Sequence, residues 1–143
     1  MFDHLLRRLR SPAPMPAPEA SLAMAALLVR LARTDGSYDA QEVASIDSAL
    51  VQTFGLSPAA AGALRLRAEA LEAEAPDTVR FTRSLKVAVP HDHRIALVEA
   101  MWRVVLSDGT RDDDEESMMR LVSNLLGISD VDSALARQRA GAR

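Results

Sequence analysis

Asp35-Gly36-x-x-Asp39-x-x-Glu42 recurs 73 positions later as Asp108-Gly109-x-x-Asp112-x-x-Glu115, and this repeat is the strongest indication of the fold. An apolar helical stretch precedes each copy. A second helical stretch follows and ends in Phe54-Gly55-Leu56-Ser57 or in Leu126-Gly127-Ile128-Ser129. A repeat of this kind predicts two related helical hairpins, each with carboxylates at its bend.

The composition favours helix along nearly the whole chain. The 143 residues fit one domain, only 3% of them are aromatic, and Ala, Leu, Arg and Glu are abundant. We therefore expect an all-α fold, a compact single-domain bundle of about six to eight helices that contains the internal duplication.

Charge and residue usage narrow the possible functions. The net charge is −3 and the Lys and Arg residues are dispersed, which argues against a nucleic-acid partner. The absence of cysteine excludes disulfides, thiolate metal sites and thiol nucleophiles. We find no phosphate-binding loop or nucleophile motif, so a non-enzymatic role is expected. No apolar run approaches the length of about 20 residues that a membrane span needs, and we expect a cytoplasmic protein.

Three segments are predicted along the chain. Residues 1–10 form a short amphipathic helix with apolar side chains on one side and arginines on the other, residues 11–18 form a proline-rich linker, and residues 19–140 form the helical domain. Residues 2–10 either touch an anionic membrane surface or a partner, or fray or fold back on the core.

Helix boundaries follow from capping signals. Asp39, Ser57 and Asp92 are predicted N-caps, and Gly55 is predicted to end its helix in the left-handed conformation. A helix over residues 78–89 is expected to turn Val79, Leu85 and Val89 toward the core. Its outer side carries Arg80, Arg83 and Lys86, either as a solvated face or as a surface for an acidic partner. Trp102 is expected to lie in the core.

The repeated acids have two interpretations. Asp-x-x-Glu at a helix start is a capping box, so Asp39 with Glu42, and Asp112 with Glu115, can be purely structural. The second copy, however, places six carboxylates between Asp108 and Glu116 with Arg111 as the only opposing charge. Oxygen ligands without Cys suit Ca²⁺, Mg²⁺ or Mn²⁺ rather than zinc. Both interpretations stay open.

At these residues the chain resembles the TerB-like family, named from bacterial tellurite-resistance systems, over about Ala20 to Arg139. The resemblance implies a compact all-helical fold with internal duplication and a link to stress responses. It also implies acidic positions suspected of chelating metal, which here are Asp35, Asp39, Glu42, Asp108, Asp112 and Glu115. Many relatives have a further acid next to the last position. The first copy has Val43 there, whereas the second has Glu116, which makes the second copy the stronger ligand source.

The leading hypothesis is a non-enzymatic TerB-like module. It would bind a divalent cation at its acidic bends and engage an unidentified protein partner. The alternative is a metal-independent scaffold whose acids only cap helices. A third class, a hydrolase that activates a metal-bound water, would need a concave pocket beside the acids.

Overall fold

The computed structural model describes residues 17–34, 36, 38–74, 77–107 and 113–141. Within these residues it contains seven α-helices and no strand, which confirms the all-α prediction. The helix expected over residues 1–10 and residues 11–16 of the expected linker lie outside the described part. The helices are α1 Ala17–Arg33, α2 Ala40–Phe54, α3 Pro58–Glu74, α4 Val79–Ala88, α5 His91–Val105, α6 Asp113–Leu125 and α7 Asp130–Gly141.

The duplication is visible in how the helices pack. In the first copy α1 contacts α2 and α3, which also contact each other, and in the second copy α5 contacts α6 and α7 in the same way. The copies meet through α1 against α5, α2 against α5 and α1 against α6, while α4 joins them. The predicted hairpins therefore belong to two related three-helix units within one core.

Helix α1 lies at the centre of this core. Met24, Leu27, Leu28 and Leu31, which repeat at helical spacing, are fully buried. Alanines and a valine on its other sides are also buried, so neighbouring helices cover this helix on several faces. It begins at Ala17, inside the linker predicted for residues 11–18, because Pro18 falls in the first turn, where no backbone donor is lost.

The predicted helix ends of the repeat are confirmed. Gly55 follows α2 with φ +66°, and Gly127 follows α6 with φ +76°. These left-handed conformations strain any residue with a Cβ. Ser57 caps α3, since its Oγ accepts a 3.1 Å hydrogen bond from the backbone N–H of Ala60. A glycine in the left-handed conformation therefore ends the second helix of each hairpin.

Two predictions about α4 and α5 were wrong. Val79 is 40% exposed, because the core face of α4 begins at Phe81 and two positions along a helix rotate a side chain by roughly 200°. Asp92 does not cap α5: the helix begins two residues earlier than such a cap requires, with Pro90 at the cap position in extended conformation. Asp92 instead lies exposed in the first turn, where the helix dipole favours a carboxylate.

The outer side of α4 is positively charged. Arg80, Arg83 and Lys86 are exposed on the outer side of α4, as predicted. Among the described helices, none combines the length and the apolar character needed to cross a bilayer.

Candidate functional site

The first acidic bend is shaped by a glycine and closed by a capping box. Gly36 has φ +84°, and its N–H donates to the carbonyl of Arg33 at 3.0 Å. The backbone N–H of Glu42 donates to Asp39 Oδ1 at 2.9 Å, and the N–H of Asp39 donates to Glu42 Oε1 at 3.3 Å. Both acids of this copy that the structure describes therefore cap α2.

One glutamate is buried in each copy. Glu42 is 7% exposed and Glu115, which occupies the equivalent position, is 4% exposed. Neither carboxylate is without a partner. An isolated charge is costly to bury, so a carboxylate at such a depth has to be held by hydrogen bonds or opposite charge. The duplication thus repeats a buried acid in the first turn after each bend.

Tyr38 ties the first bend to α3. Its O–H donates to Glu69 Oε2 at 2.7 Å, and the guanidinium of Arg33 lies 5.0 Å from the centre of its ring. Burial raises the pKa of Tyr38 well above its usual value, and the hydrogen bond to Glu69 raises it further. Contacts of Tyr38 with α1 and α3 therefore hold the bend in place in addition to the capping box.

A charge network continues from Glu69 across the first copy. Arg65 Nε lies 2.6 Å from Asp47 Oδ1, and Arg65 Nη1 lies 2.9 Å from Glu69 Oε2. The hydrogen bond to Asp47 raises the pKa of Arg65. Desolvation by burial raises the pKa of Glu69, but hydrogen bonds from Tyr38 and Arg65 outweigh it and hold that pKa below its usual value.

Two arginines near the end of α1 bind a glutamate near the end of α3. Arg30 Nε and Arg33 Nη1 lie 3.1 Å and 2.6 Å from the two carboxylate oxygens of Glu72. Arg30 also donates to Thr78 Oγ1 at 3.2 Å and stacks 5.4 Å from the centre of the Phe81 ring. These contacts join α1, α3 and α4 around the C-terminal end of α1.

The second copy has a different arrangement around Trp102. The indole N–H donates to Ser133 Oγ at 3.1 Å, and Ser133 also shares a hydrogen bond with Ser123. The guanidinium of Arg137 lies 4.9 Å from the centre of a Trp102 ring. Its two terminal nitrogens donate to the two oxygens of Glu116 at 3.4 Å and 3.1 Å. Trp102 is 6% exposed, which confirms it as a core residue.

A cavity of about 180 Å³ lies beside this arrangement. Its side chains include two cations and two acids around the indole, namely Trp102, Glu116, Arg120, Asp130, Ser133 and Arg137. Glu116 already accepts both hydrogen bonds from Arg137, so the opposite charges of these two side chains balance each other.

Comparison with known proteins supports the resemblance seen in the repeat. The family model described as "Tellurite resistance protein TerB" matches residues 21–138, which is most of the chain. The chain belongs to the TerB family. No curated protein and no solved structure matches it.

The seven acids suggested for this TerB domain fall into two groups. Asp39, Glu42, Glu115 and Glu116 are described, whereas Asp35, Asp108 and Asp112 lie outside the described residues. In the described part of the chain no three His, Asp or Glu side chains converge in a way that would hold a metal ion. Asp39 and Glu42 cap α2, and Glu116 pairs with Arg137.

Sequence reasoning missed one repeated residue of this TerB domain. Arg65 and Arg137 each stand ten positions after the glycine that ends the preceding helix, and each reaches back to an acid on that helix. The acidic partners, however, lie one helical turn apart in the two copies. The second copy has Arg120 at the position of Asp47, and the first copy has Val43 at the position of Glu116. The constant distance from the glycine was the signal that could have found them.

Proposed function

We propose that this chain is a non-enzymatic TerB module whose acidic bends bind a divalent cation, Ca²⁺, Mg²⁺ or Mn²⁺. The observation that carries the proposal is the burial of Glu42 and Glu115 at equivalent positions, in the first turn after each bend. A capping carboxylate can fulfil its role at an exposed helix end. In both copies the glutamate is instead buried, directly after a segment whose sequence is already rich in carboxylates.

The second bend is the stronger candidate. Asp108 and Asp112 precede Glu115 there, and the first turn of α6 adds Asp113, Asp114 and Glu116. Hard cations prefer several oxygen ligands, and a bound ion would relieve the repulsion among these carboxylates. Since Arg137 already engages Glu116, we assign the ion to Asp108, Asp112 and Glu115 and leave Glu116 to the ion pair.

A metal-independent scaffold is the second candidate. It is supported by the capping box of Asp39 and Glu42, which engages both carboxylates without an ion. In either case we propose that the domain acts through a protein partner in a cytoplasmic stress response. The family's description as a tellurite resistance protein supports the stress-response part of this proposal. The two candidates differ in whether an ion changes the stability of the folded chain.

Thermal unfolding of chelator-treated protein tests the ion. Ca²⁺, Mg²⁺ and Mn²⁺ are added back separately, and an ion that binds only the folded state raises its stability by roughly 2.7 kcal/mol at about 100 times Kd. We expect a saturable rise that is selective for one ion. No rise up to the highest concentration of all three ions would favour the scaffold.

Two double variants locate the site. Asp108→Asn with Asp112→Asn removes two proposed ligands and should abolish the ion-dependent rise while the helical content stays the same. Asp92→Asn with Asp132→Asn removes the same charge from the first turns of α5 and α7, where neither residue lines the cavity beside Glu116, and should keep the rise. An equal loss in both variants would mean that the ion responds only to net charge.

The buried glutamates are tested by isosteric replacement. Glu115→Gln should weaken the ion-dependent rise more than Glu42→Gln does, because the second bend supplies more carboxylates. The unfolding of each variant in chelator corrects for its intrinsic change in stability. If both variants keep the full rise, the buried glutamates serve only to support the fold.

A further inference from the structure

Helix α4 presents one exposed face that combines cations with apolar side chains. Arg80, Arg83, Lys86, Val79 and Val87 all lie on it, within an arc of roughly 120° at 3.6 residues per turn. Val79 is 40% exposed and Val87 is 53% exposed. The opposite side carries the buried residues of the helix, Phe81, Thr82, Leu85 and Ala88. The packing of the core therefore leaves this mixed face directed outward.

The cations of this face have no acidic counterpart among the side chains that the structure describes. Helix α4 contains no Asp or Glu. No described carboxylate forms an ion pair with Arg80, Arg83 or Lys86, although the domain as a whole is acidic. A concentrated positive strip on a negatively charged protein attracts an anionic surface in one orientation.

We infer that the exposed face of α4 is a contact surface for an anionic lipid bilayer. Basic residues interleaved with exposed apolar ones are typical of segments that lie on a membrane surface. An acidic protein segment would be attracted by the cations alone, whereas the two valines between them suit insertion between lipid headgroups. The face spans only about 15 Å, so we expect the attachment through it to be weak and reversible.

Co-sedimentation of the full-length chain with vesicles tests this surface. We expect binding to phosphatidylcholine vesicles that contain phosphatidylserine, little binding to pure phosphatidylcholine, and a decrease as salt rises. Each cation near an anionic bilayer contributes roughly fivefold to the partition coefficient, so Arg80→Gln with Arg83→Gln should lower it roughly 25-fold.

The matched control removes two other exposed arginines. Arg67→Gln with Arg120→Gln changes the net charge equally, on α3 and α6, and should retain most of the binding. Circular dichroism establishes that both variants are folded. An equal loss in the two variants would overturn the inference, because attraction would then follow net charge and not the α4 face.

Two further outcomes would also overturn it. One is that the wild-type chain does not sediment with anionic vesicles at low salt. The other is that the chain binds a poly-glutamate peptide through Arg80 and Arg83 while vesicles do not compete, which would make the α4 face a site for an acidic protein segment. Substitution of Val79 and Val87 by Ser separates the cases further, since it should weaken vesicle binding and leave peptide binding unchanged.

Discussion

The two copies of the repeat share their helix order and differ in what holds the third helix to the second. In the first copy Arg65 pairs with Asp47 and Glu69, and Tyr38 extends this network to the acidic bend. In the second copy Arg137 pairs with Glu116 and stacks on Trp102. The arginine is retained while its acidic partner moves by one helical turn. A duplicated fold therefore tolerates a change of partner when an acid still lies within ion-pairing distance of the arginine.

The difference has a counterpart in the core. The residue equivalent to Trp102 is Val29, which is fully buried in α1. The indole is larger and has a polar N–H, so the second copy provides Ser133 and Ser123 as partners, where the first copy has Ala61 and Leu50 at the equivalent positions. The first copy is therefore packed by apolar contacts around α1, and the second by one aromatic residue with a polar network.

The largest effect on this comparison is expected from Trp102→Ala. Removal of a buried Trp should lower the free energy of unfolding by about 3–5 kcal/mol, because a cavity forms and the stacking of Arg137 is lost. The matched variant Val29→Ala should cost about 2 kcal/mol. Urea unfolding followed by circular dichroism measures both. Similar losses would contradict the view that the second copy depends on one large residue.

The two arginine pairs can be compared by double-mutant cycles. The side chain of Arg65 is 15% exposed in its pair with Asp47, whereas that of Arg137 is 33% exposed in its pair with Glu116. We expect a coupling free energy of about 1–2 kcal/mol for the first pair and about 0.5–1 kcal/mol for the second, because solvent screens the more exposed pair. A larger coupling in the second copy would show that stacking on Trp102 outweighs burial.

The capping box gives a smaller effect with a control inside the chain. Asp39→Ala should destabilise the fold by about 1 kcal/mol, since Asp39 accepts from the backbone N–H of Glu42. Asp92→Ala removes an aspartate from the start of α5 that makes no such cap, and should change the free energy of unfolding by less than about 0.5 kcal/mol. Equal losses would mean that both aspartates act mainly through the helix dipole.

The network of Tyr38 has its effect at the extremes of pH. The chain contains one tyrosine, so ultraviolet absorbance reports the ionisation of Tyr38 alone. We expect a midpoint well above the usual value of about 10, and a lower midpoint in Glu69→Gln, which removes the charge of the acceptor. A midpoint near the usual value in the folded protein would rule out the buried hydrogen bond between Tyr38 and Glu69.

The same network predicts the dependence of stability on pH. The raised pKa of Tyr38 stabilises the fold below the pKa of unfolded tyrosine, and this contribution is lost as pH rises toward the folded value. The lowered pKa of Glu69 stabilises the fold above the pKa of unfolded glutamate, and this contribution is lost as pH falls through the folded value. Tyr38→Phe should remove the alkaline part while most of the acid part remains, which pH-dependent urea unfolding measures.

Much of the fold was readable from local sequence. The helix ends at Gly55 and Gly127, the cap at Ser57 and the apolar stripe of α1 were predicted correctly, because caps and periodicity act within a few residues. Val79 was misplaced because its side chain points away from a core face that only the position of Phe81 defines. Asp92 was misplaced because Pro90, two residues earlier, occupies the cap position.

Short-range patterns and the repeat were sufficient to predict the helices, the first acidic bend and the family. Only the packed structure shows that Glu42 and Glu115 are buried, that Tyr38 meets Glu69 and that Arg137 lies between Trp102 and Glu116. Such contacts join residues that are far apart in the chain, and a pair forms only when the packing of whole helices brings its atoms within reach.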